Sequence, residues 1–259
     1  MSTLLEAGNV SKIFGGLVAV SDASFTVRTG EITALIGPNG AGKTTMLNMI
    51  SGVFPPTSGW IRLAGKPIHH LPPHVIAARG IARTFQQVEL FTNMTVLENV
   101  MVGRHLRSRG NLFTAATRLG GTNRHERKTA NDALTYLEMV GLADVAHEDS
   151  GDLPFGRQRL LEIARALATE PSLLLLDEAA SGLSTREKKE LVELIFRIRK
   201  SGVTIFLVDH DMDLVMDISD RVVVLDHGEK IAEGTPAEVQ RNERVIAAYL
   251  GEEPVGESG

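Results

Sequence analysis

Between Leu35 and Asn48 the chain reads LIGPNGAGKTTMLN, an apolar lead-in followed by a glycine-rich turn and then Lys43, Thr44 and Thr45. From Gly37 to Thr44 the spacing is G-x-x-x-x-G-K-T. Glycines at these places let the backbone bend so that several N–H groups aim at one anion. Lys43 adds a point charge suited to terminal phosphates, and the Thr44 hydroxyl is a hard oxygen ligand for Mg²⁺. A helix starting here contributes the positive end of its dipole. An apolar, strand-like run precedes the loop and a helical pattern follows it, and that context separates a phosphate cradle from an ordinary glycine turn.

Four further stretches carry groups with chemistry. LLLLDE closes an apolar run with Asp177 and Glu178. Asp177 at a strand's end can hold the water shell of Mg²⁺, and Glu178 beside it can polarise an attacking water. LVDHD ends a second run in the same way, and His210 both donates and accepts near neutral pH, which suits a sensor of a terminal phosphate. ARTFQQVELF holds Gln86 and Gln87, whose amides can bond to a metal-bound or attacking water. LPFGRQRLLEIARAL sets Pro154 and Gly156 ahead of an amphipathic helix, with Arg159, Glu162 and Arg165 at helical spacing, able to pair.

These groups need a scaffold that presents strand ends side by side. Ile32–Ile36, Leu173–Leu176, Thr204–Val208 and Val222–Leu225 are short apolar runs bounded by turn residues and separated by helical patterns. That is the pattern of an α/β fold with a mostly parallel sheet, whose strands are buried on both faces. A helix is expected from Thr44 to about Ser51, stopped by Gly52. Ser184 with Glu187, and Thr235-Pro236 with Glu238, read as capped helix starts. From Glu98 to Ala168 the pattern turns helical, as in TANDALTYLEMVGL, and reads as a helical lobe inserted into the sheet domain. The tail from Gly251 to Gly259 offers too little apolar surface to pack and reads as disordered.

Bulk properties narrow the classes. A net charge of −5 argues against a dedicated nucleic-acid binder. No cysteine is present, so disulfides and thiol chemistry are excluded. No apolar run approaches the ~20 residues that span a bilayer, and the N-terminus lacks a signal-peptide pattern. The stretch Arg104–Lys128 carries seven Lys or Arg and one acid, Glu126, and reads as a solvated loop rather than a lipid contact. HHLPPH, with His69, His70 and His74, reads as a surface turn rather than a metal site.

Taken together, the motifs occur in one order over nearly the whole chain, and the chain resembles the ATP-binding subunits of ABC transporters. GPNGAGKTT looks like Walker A, LLLLDE like Walker B, FQQ like the Q-loop, LPFGRQ like the signature, SGLS like the D-loop and VDH like the switch histidine. KIFGG looks like the segment whose aromatic residue, here Phe14, stacks on adenine. IARTFQQVELFTNMTVLENVMVGRH, VDHDMDLVMDISDRVVVLDHGEKIAEGTP and the ending VIAAYLG are similar to the subfamily serving branched-chain amino-acid importers and their relatives, including urea importers.

The resemblance implies a P-loop ATPase domain over residues 1–250, with a RecA-like core, an N-terminal antiparallel β subdomain and a helical subdomain at about 88–168. It implies ATP and Mg²⁺ as cofactors. Phe14, Asn39, Gly40, Ala41, Gly42, Lys43, Thr44, Thr45 and Gln86 would bind the nucleotide. Thr44, Gln86 and Asp177 would surround the metal, with Glu178 as general base and His210 and Lys43 at the terminal phosphate. Leu153, Pro154, Phe155, Gly156 and Arg157 would act on the ATP of a second ATPase subunit, in a heterodimer or a homodimer. Two permeases and an extracytoplasmic binding protein complete the implied importer, with this chain on the cytoplasmic face of the membrane and no nucleic acid involved.

Three positions depart from the wider family. Pro154 stands where the signature L-S-G-G-Q has serine, Ala179 replaces the proline after Glu178, and Ser184 replaces the D-loop acid. Proline has no hydroxyl, so the serine's bond to a phosphate is expected to be lost, with Arg157 able to supply charge instead. The two ATP sites of the assembly are therefore expected to differ in turnover. Three rivals are weighed against the transporter reading: a soluble ABC ATPase acting on DNA or ribosomes, a small-molecule P-loop kinase, and a nucleotide-binding regulator without hydrolysis. The first lacks its usual tandem halves and basic stretches here, the second has no use for a signature and switch histidine, and Glu178 argues against the third.

Overall fold

The computed structural model describes residues 2–105 and 122–250. The tail 251–259 and the larger part of the basic stretch lie outside the described residues. In chain order the elements are β1 (Thr3–Phe14), β2 (Leu17–Arg28), β3 (Ile32–Ile36), α1 (Lys43–Ile50), β4 (Ser58–Leu63), β5 (Lys66–Pro67), α2 (Pro73–Ala78), β6 (Ile81–Arg83), α3 (Val96–His105) and α4 (Thr122–Val140). After two short 3₁₀ turns come α5 (Phe155–Leu167), β7 (Leu173–Asp177), α6 (Thr185–Lys200), β8 (Thr204–Val208), α7 (Met212–Ile218), β9 (Arg221–Asp226), β10 (Glu229–Gly234), α8 (Pro236–Gln240) and α9 (Glu243–Leu250). Two compact units result, Met1–Pro73 with Thr204–Gly259, and His74–Val203.

The first unit contains the antiparallel order β2-β1-β4-β5 and the run β10-β9-β3-β8. In that run β3 pairs parallel with both β8 and β9, and β10 closes the edge antiparallel to β9. Every residue of β3 and β8 is buried, which is why these strands read as unbroken apolar runs. Phe25 of β2 stacks on Phe206 of β8, ring centroids 5.6 Å apart and ring planes nearly parallel, and ties the antiparallel sheet to the parallel strands. The β9–β10 turn is fixed by two backbone bonds, Ser21 N to Gly228 O and Gly228 N to Ala41 O. The second of these anchors the glycine-rich loop.

The second unit pairs β6 with β7 in parallel and surrounds them with helices. The α6 start is the expected capping box: Ser184 accepts from Glu187 N–H while the Glu187 carboxylate accepts from Ser184 N–H. Its buried face is Leu191, Leu194, Ile195 and Ile198, the i, i+3, i+4, i+7 stripe read from the sequence. In α5 the buried face includes Leu161, Ile163, Ala164 and Leu167, but also Arg159 and Glu162. A fully buried Arg–Glu pair is the unusual feature of this core. Arg104, at the edge of the basic stretch, pairs with Asp132 at 2.8 Å and with Glu170. His69 sets its Nδ1 against the backbone of Ile61 and its ring against His70.

Candidate active site

In the first unit, the loop from Gly37 to Gly42 leaves the end of β3 and enters α1. Gly42 is the N-cap of α1 in a left-handed conformation, φ +98°, and makes no side-chain cap bond, so the positive end of the helix dipole lies at this loop. A Cβ at Gly42 would stand 2.4 Å from the carbonyl oxygen of Ala19 on β2, so the loop lies too close to β2 for any side chain there. Lys43 Nζ donates to the carbonyls of Gly37 at 2.7 Å and Pro38 at 2.8 Å, which curls the loop around its charge. Asn39, Gly40 and Thr44 are exposed on its rim, and Ala41 is buried beneath. Phe14, 44% exposed, meets Phe54 edge-on with centroids 5.2 Å apart. Lys12 lies over both rings and donates to Pro55 O at 2.7 Å, fixing the aromatic pair. His210 follows β8, exposed, with Nδ1 4.0 Å from the buried Asp209 carboxylate.

The second unit brings three of the expected residues together. Asp177 ends β7 and Glu178 follows with a positive φ of 48°, a turn that directs its side chain off the strand axis. Gln86 Nε2 donates to Glu178 Oε2 at 2.9 Å. Asp177 is ion-paired through Oδ2 with Arg83 Nη2 at 2.8 Å, and both side chains are nearly sealed from water. Thr84 Oγ1 accepts from the Asp177 backbone N–H at 3.3 Å. Arg83 therefore braces the Asp177 carboxylate and Thr84 its backbone, just before Gln86 reaches the next carboxylate. Neither was singled out by the sequence reading. The signal available was position alone, two polar residues at the end of a short apolar strand.

Thr44, Gln86 and Asp177 are oxygen donors of the kind Mg²⁺ takes, together with substrate phosphates. The donor set fits. Asp177 already pairs through Oδ2 with the Arg83 guanidinium, so Mg²⁺ would share this carboxylate with Arg83. Among the described residues, no group of three or more His, Cys, Asp or Glu is placed to hold a metal ion by itself.

At the start of α5, Pro154 is the N-cap without a side-chain bond. Leu153 is buried and Phe155 is exposed. Gly156 is buried, and a Cβ there would meet the Glu187 carboxylate at 2.1 Å. Arg157 is 3.9 Å from Asp144 in an exposed pair. Gln158 turns back to donate to Leu153 O at 3.0 Å.

Comparison with known proteins decides the family. The family described as "ABC transporter" matches residues 20–181. The high-affinity branched-chain amino acid transport ATP-binding protein LivG of Salmonella typhimurium is 45% identical over 250 residues, covering 96% of this chain and 98% of that protein. The chain belongs to the ABC transporter ATP-binding proteins. Within them it falls in the branched-chain amino acid (LivG) subfamily, since residues 229–255 also match the family described as "Branched-chain amino acid ATP-binding cassette transporter". BraF of Pseudomonas aeruginosa, of the same description as LivG, is 44% identical over 96% of this chain and 98% of its own length. The crystal structure of an ATP-binding cassette in its ADP conformation superposes with a TM-score of 0.85 at 29% identity, covering 97% of this chain and all of that one. A nucleotide-free cassette gives 0.84 at the same identity. The fold is thus the ABC ATPase cassette, with its antiparallel N-terminal sheet, mostly parallel core sheet and helical subdomain. The cassette is an ATPase that binds ATP, as the phosphate loop read from the sequence required.

Proposed function

We propose that this chain powers the uptake of branched-chain amino acids, as one of two ATPase subunits beneath a pair of permeases on the cytoplasmic face of the cell membrane, fed by an extracytoplasmic binding protein. The observation that carries the reading is the near full-length match to LivG, 45% identity over 96% of the chain. Among the described residues no helix is long and apolar enough to cross a membrane, so attachment rests on the permeases. Residues 1–250 act as one ATPase module, with the helices at about 88–168 as its inserted lobe.

In this reading Phe14, held edge-on by Phe54 and Lys12, offers its face to adenine. Asn39 to Thr45 wrap the phosphates with backbone N–H groups, and Lys43 exchanges its carbonyl partners for phosphate oxygens. Thr44, Gln86 and Asp177 would hold Mg²⁺, which would neutralise charge on the phosphates. Glu178 accepts the proton of a water whose oxygen attacks the terminal phosphorus, and the bond to the bridging oxygen breaks to give ADP and phosphate. Gln86 orients Glu178 through the 2.9 Å bond, and His210 donates to the terminal phosphate. Leu153 to Arg157 face the nucleotide of the companion subunit. Pro154 cannot donate there, so that companion site turns over more slowly.

The test is to tag the chain, solubilise native membranes gently and identify what co-purifies. Two polytopic permeases with a second, different ATPase are expected. Recovery from the soluble fraction alone, or with nucleic acid, would overturn the reading.

A further inference from the structure

The segment from Phe85 to Phe91 carries Gln86, yet almost nothing in its own sequence holds it. It has no helix or strand, and Phe85 and Phe91 are exposed. Its near end is anchored by α5. Arg159, 1% exposed, donates to Phe85 O at 2.6 Å and Gln86 O at 2.8 Å. Glu162, 2% exposed, pairs with Arg159 at 2.9 Å and accepts from Phe85 N–H at 2.9 Å. One turn further, Arg165 donates to Glu89 O and lies 5.5 Å from the Phe91 ring. The far end is tied by the buried Asn99, whose side chain accepts from Phe91 N–H and donates to Phe91 O. Arg159, Glu162 and Arg165 stand at i, i+3 and i+6, one face of a helix whose first turn is the signature segment.

A buried ion pair is weak evidence for stability, because desolvating both charges offsets their attraction. Well-packed apolar residues would serve a core as well. What this pair supplies is direction, since the guanidinium fork and the carboxylate together occupy the N–H and C=O of Phe85 and the C=O of Gln86. The result is a continuous run of bonds, from α5 through Arg159 and Glu162 to the backbone at Gln86, and through the Gln86 side chain to Glu178.

We propose that Arg159 and Glu162 are positioning residues that fix Gln86, and through it Glu178, to the signature helix. Any shift of the signature helix against its companion's nucleotide is then passed to this chain's own candidate base. The proposal rests on the reading of Glu178 as that base.

A double-mutant cycle in the importer complex, purified through a tag on this chain, tests it. Arg159→Met is expected to lower kcat about ten- to a hundred-fold, the range for misplacing a catalytic group, while KM for ATP stays within about two-fold. In a Gln86→Ala background the same substitution is expected to change kcat no further, because the group it positions is gone. Arg159→Lys should recover part of the rate by restoring one donor. If Arg159→Met lowers kcat equally in both backgrounds, or raises KM in step with the loss of kcat, the proposal falls. If Arg159→Met does not fold, Glu162→Gln, which keeps the side chain's shape, is read in the same cycle, with the same two outcomes. Failure of the underlying reading shows separately, as a Glu178→Gln complex that hydrolyses ATP at the unaltered rate.

Discussion

Replacing Arg83 with methionine removes the cation from one of the most deeply buried ion pairs in the chain. The Arg83 and Asp177 side chains are 7% and 4% exposed, and the contact is 2.8 Å. Removing one partner of such a pair leaves a buried charge uncompensated and costs about 3–5 kcal/mol. The lost guanidinium contact with the Phe85 ring, 5.3 Å away, adds to this. For a chain of this size that cost corresponds to a fall in Tm of roughly 6–20 °C. The second half of the prediction concerns Mg²⁺. If Asp177 serves the metal, the Mg²⁺ ion of Mg-ATP supplies the missing positive charge, and the variant gains more Tm from saturating Mg-ATP than the unaltered chain does. Differential scanning calorimetry of both proteins, with and without Mg-ATP, reads both halves. A loss below about 1 kcal/mol, as for a solvated pair, would refute the burial argument. An equal Mg-ATP shift in the two proteins would refute the role of Asp177.

Other substitutions probe separate links. Pro154→Ser restores both a helix N-cap and a phosphate donor, and should raise hydrolysis at the companion's site about ten-fold, the lower end of a charge-assisted bond of ~1.5–3 kcal/mol; single-turnover hydrolysis checks it, and an unchanged rate counts against the asymmetry. Gly42→Ala forces a Cβ within 2.4 Å of Ala19 O at a positive φ, so nucleotide affinity measured by titration should fall at least ten-fold and Tm should drop. Burial holds the Glu162 carboxyl above the usual range, against the opposing pull of Phe85 N–H, Arg159 and Arg165. A raised folded-state value means that its contribution to stability is whole below the ordinary carboxyl value and is lost as pH rises through the raised one. Urea unfolding should show the stability of the unaltered chain, relative to Glu162→Gln, declining from about pH 4 upward; a difference constant with pH would rule it out.

The parallel core was legible because β3, β7 and β8 are buried on both faces, so burial appears in the sequence as unbroken Ile, Leu, Val and Phe runs. The capped starts of α6 and α8 were legible because capping is local, set by residues three apart. The antiparallel sheet was not read from alternation. Asn9 and Asp22 take positive φ, and the β1–β2 register shifts repeatedly, so the two-residue period breaks within each strand. Only the family resemblance supplied that sheet. In the site, Asp177 and Glu178 were visible because an acidic pair ending an apolar strand is a local signal. Arg83 was not, since its partner is 94 positions away. Arg159, Glu162 and Arg165 were seen at helical spacing and read as pairing with one another. Their grip on Phe85 to Glu89, more than 70 positions upstream, is a tertiary fact that helical period does not encode.

The most direct test of the central claim is leucine uptake into membrane vesicles carrying the importer, driven by ATP, with either the unaltered chain or Glu178→Gln. The account predicts that the variant complex still binds ATP while uptake falls by two to four orders of magnitude, on the order of what a general base contributes. Leucine uptake at the unaltered rate with Glu178→Gln would contradict it.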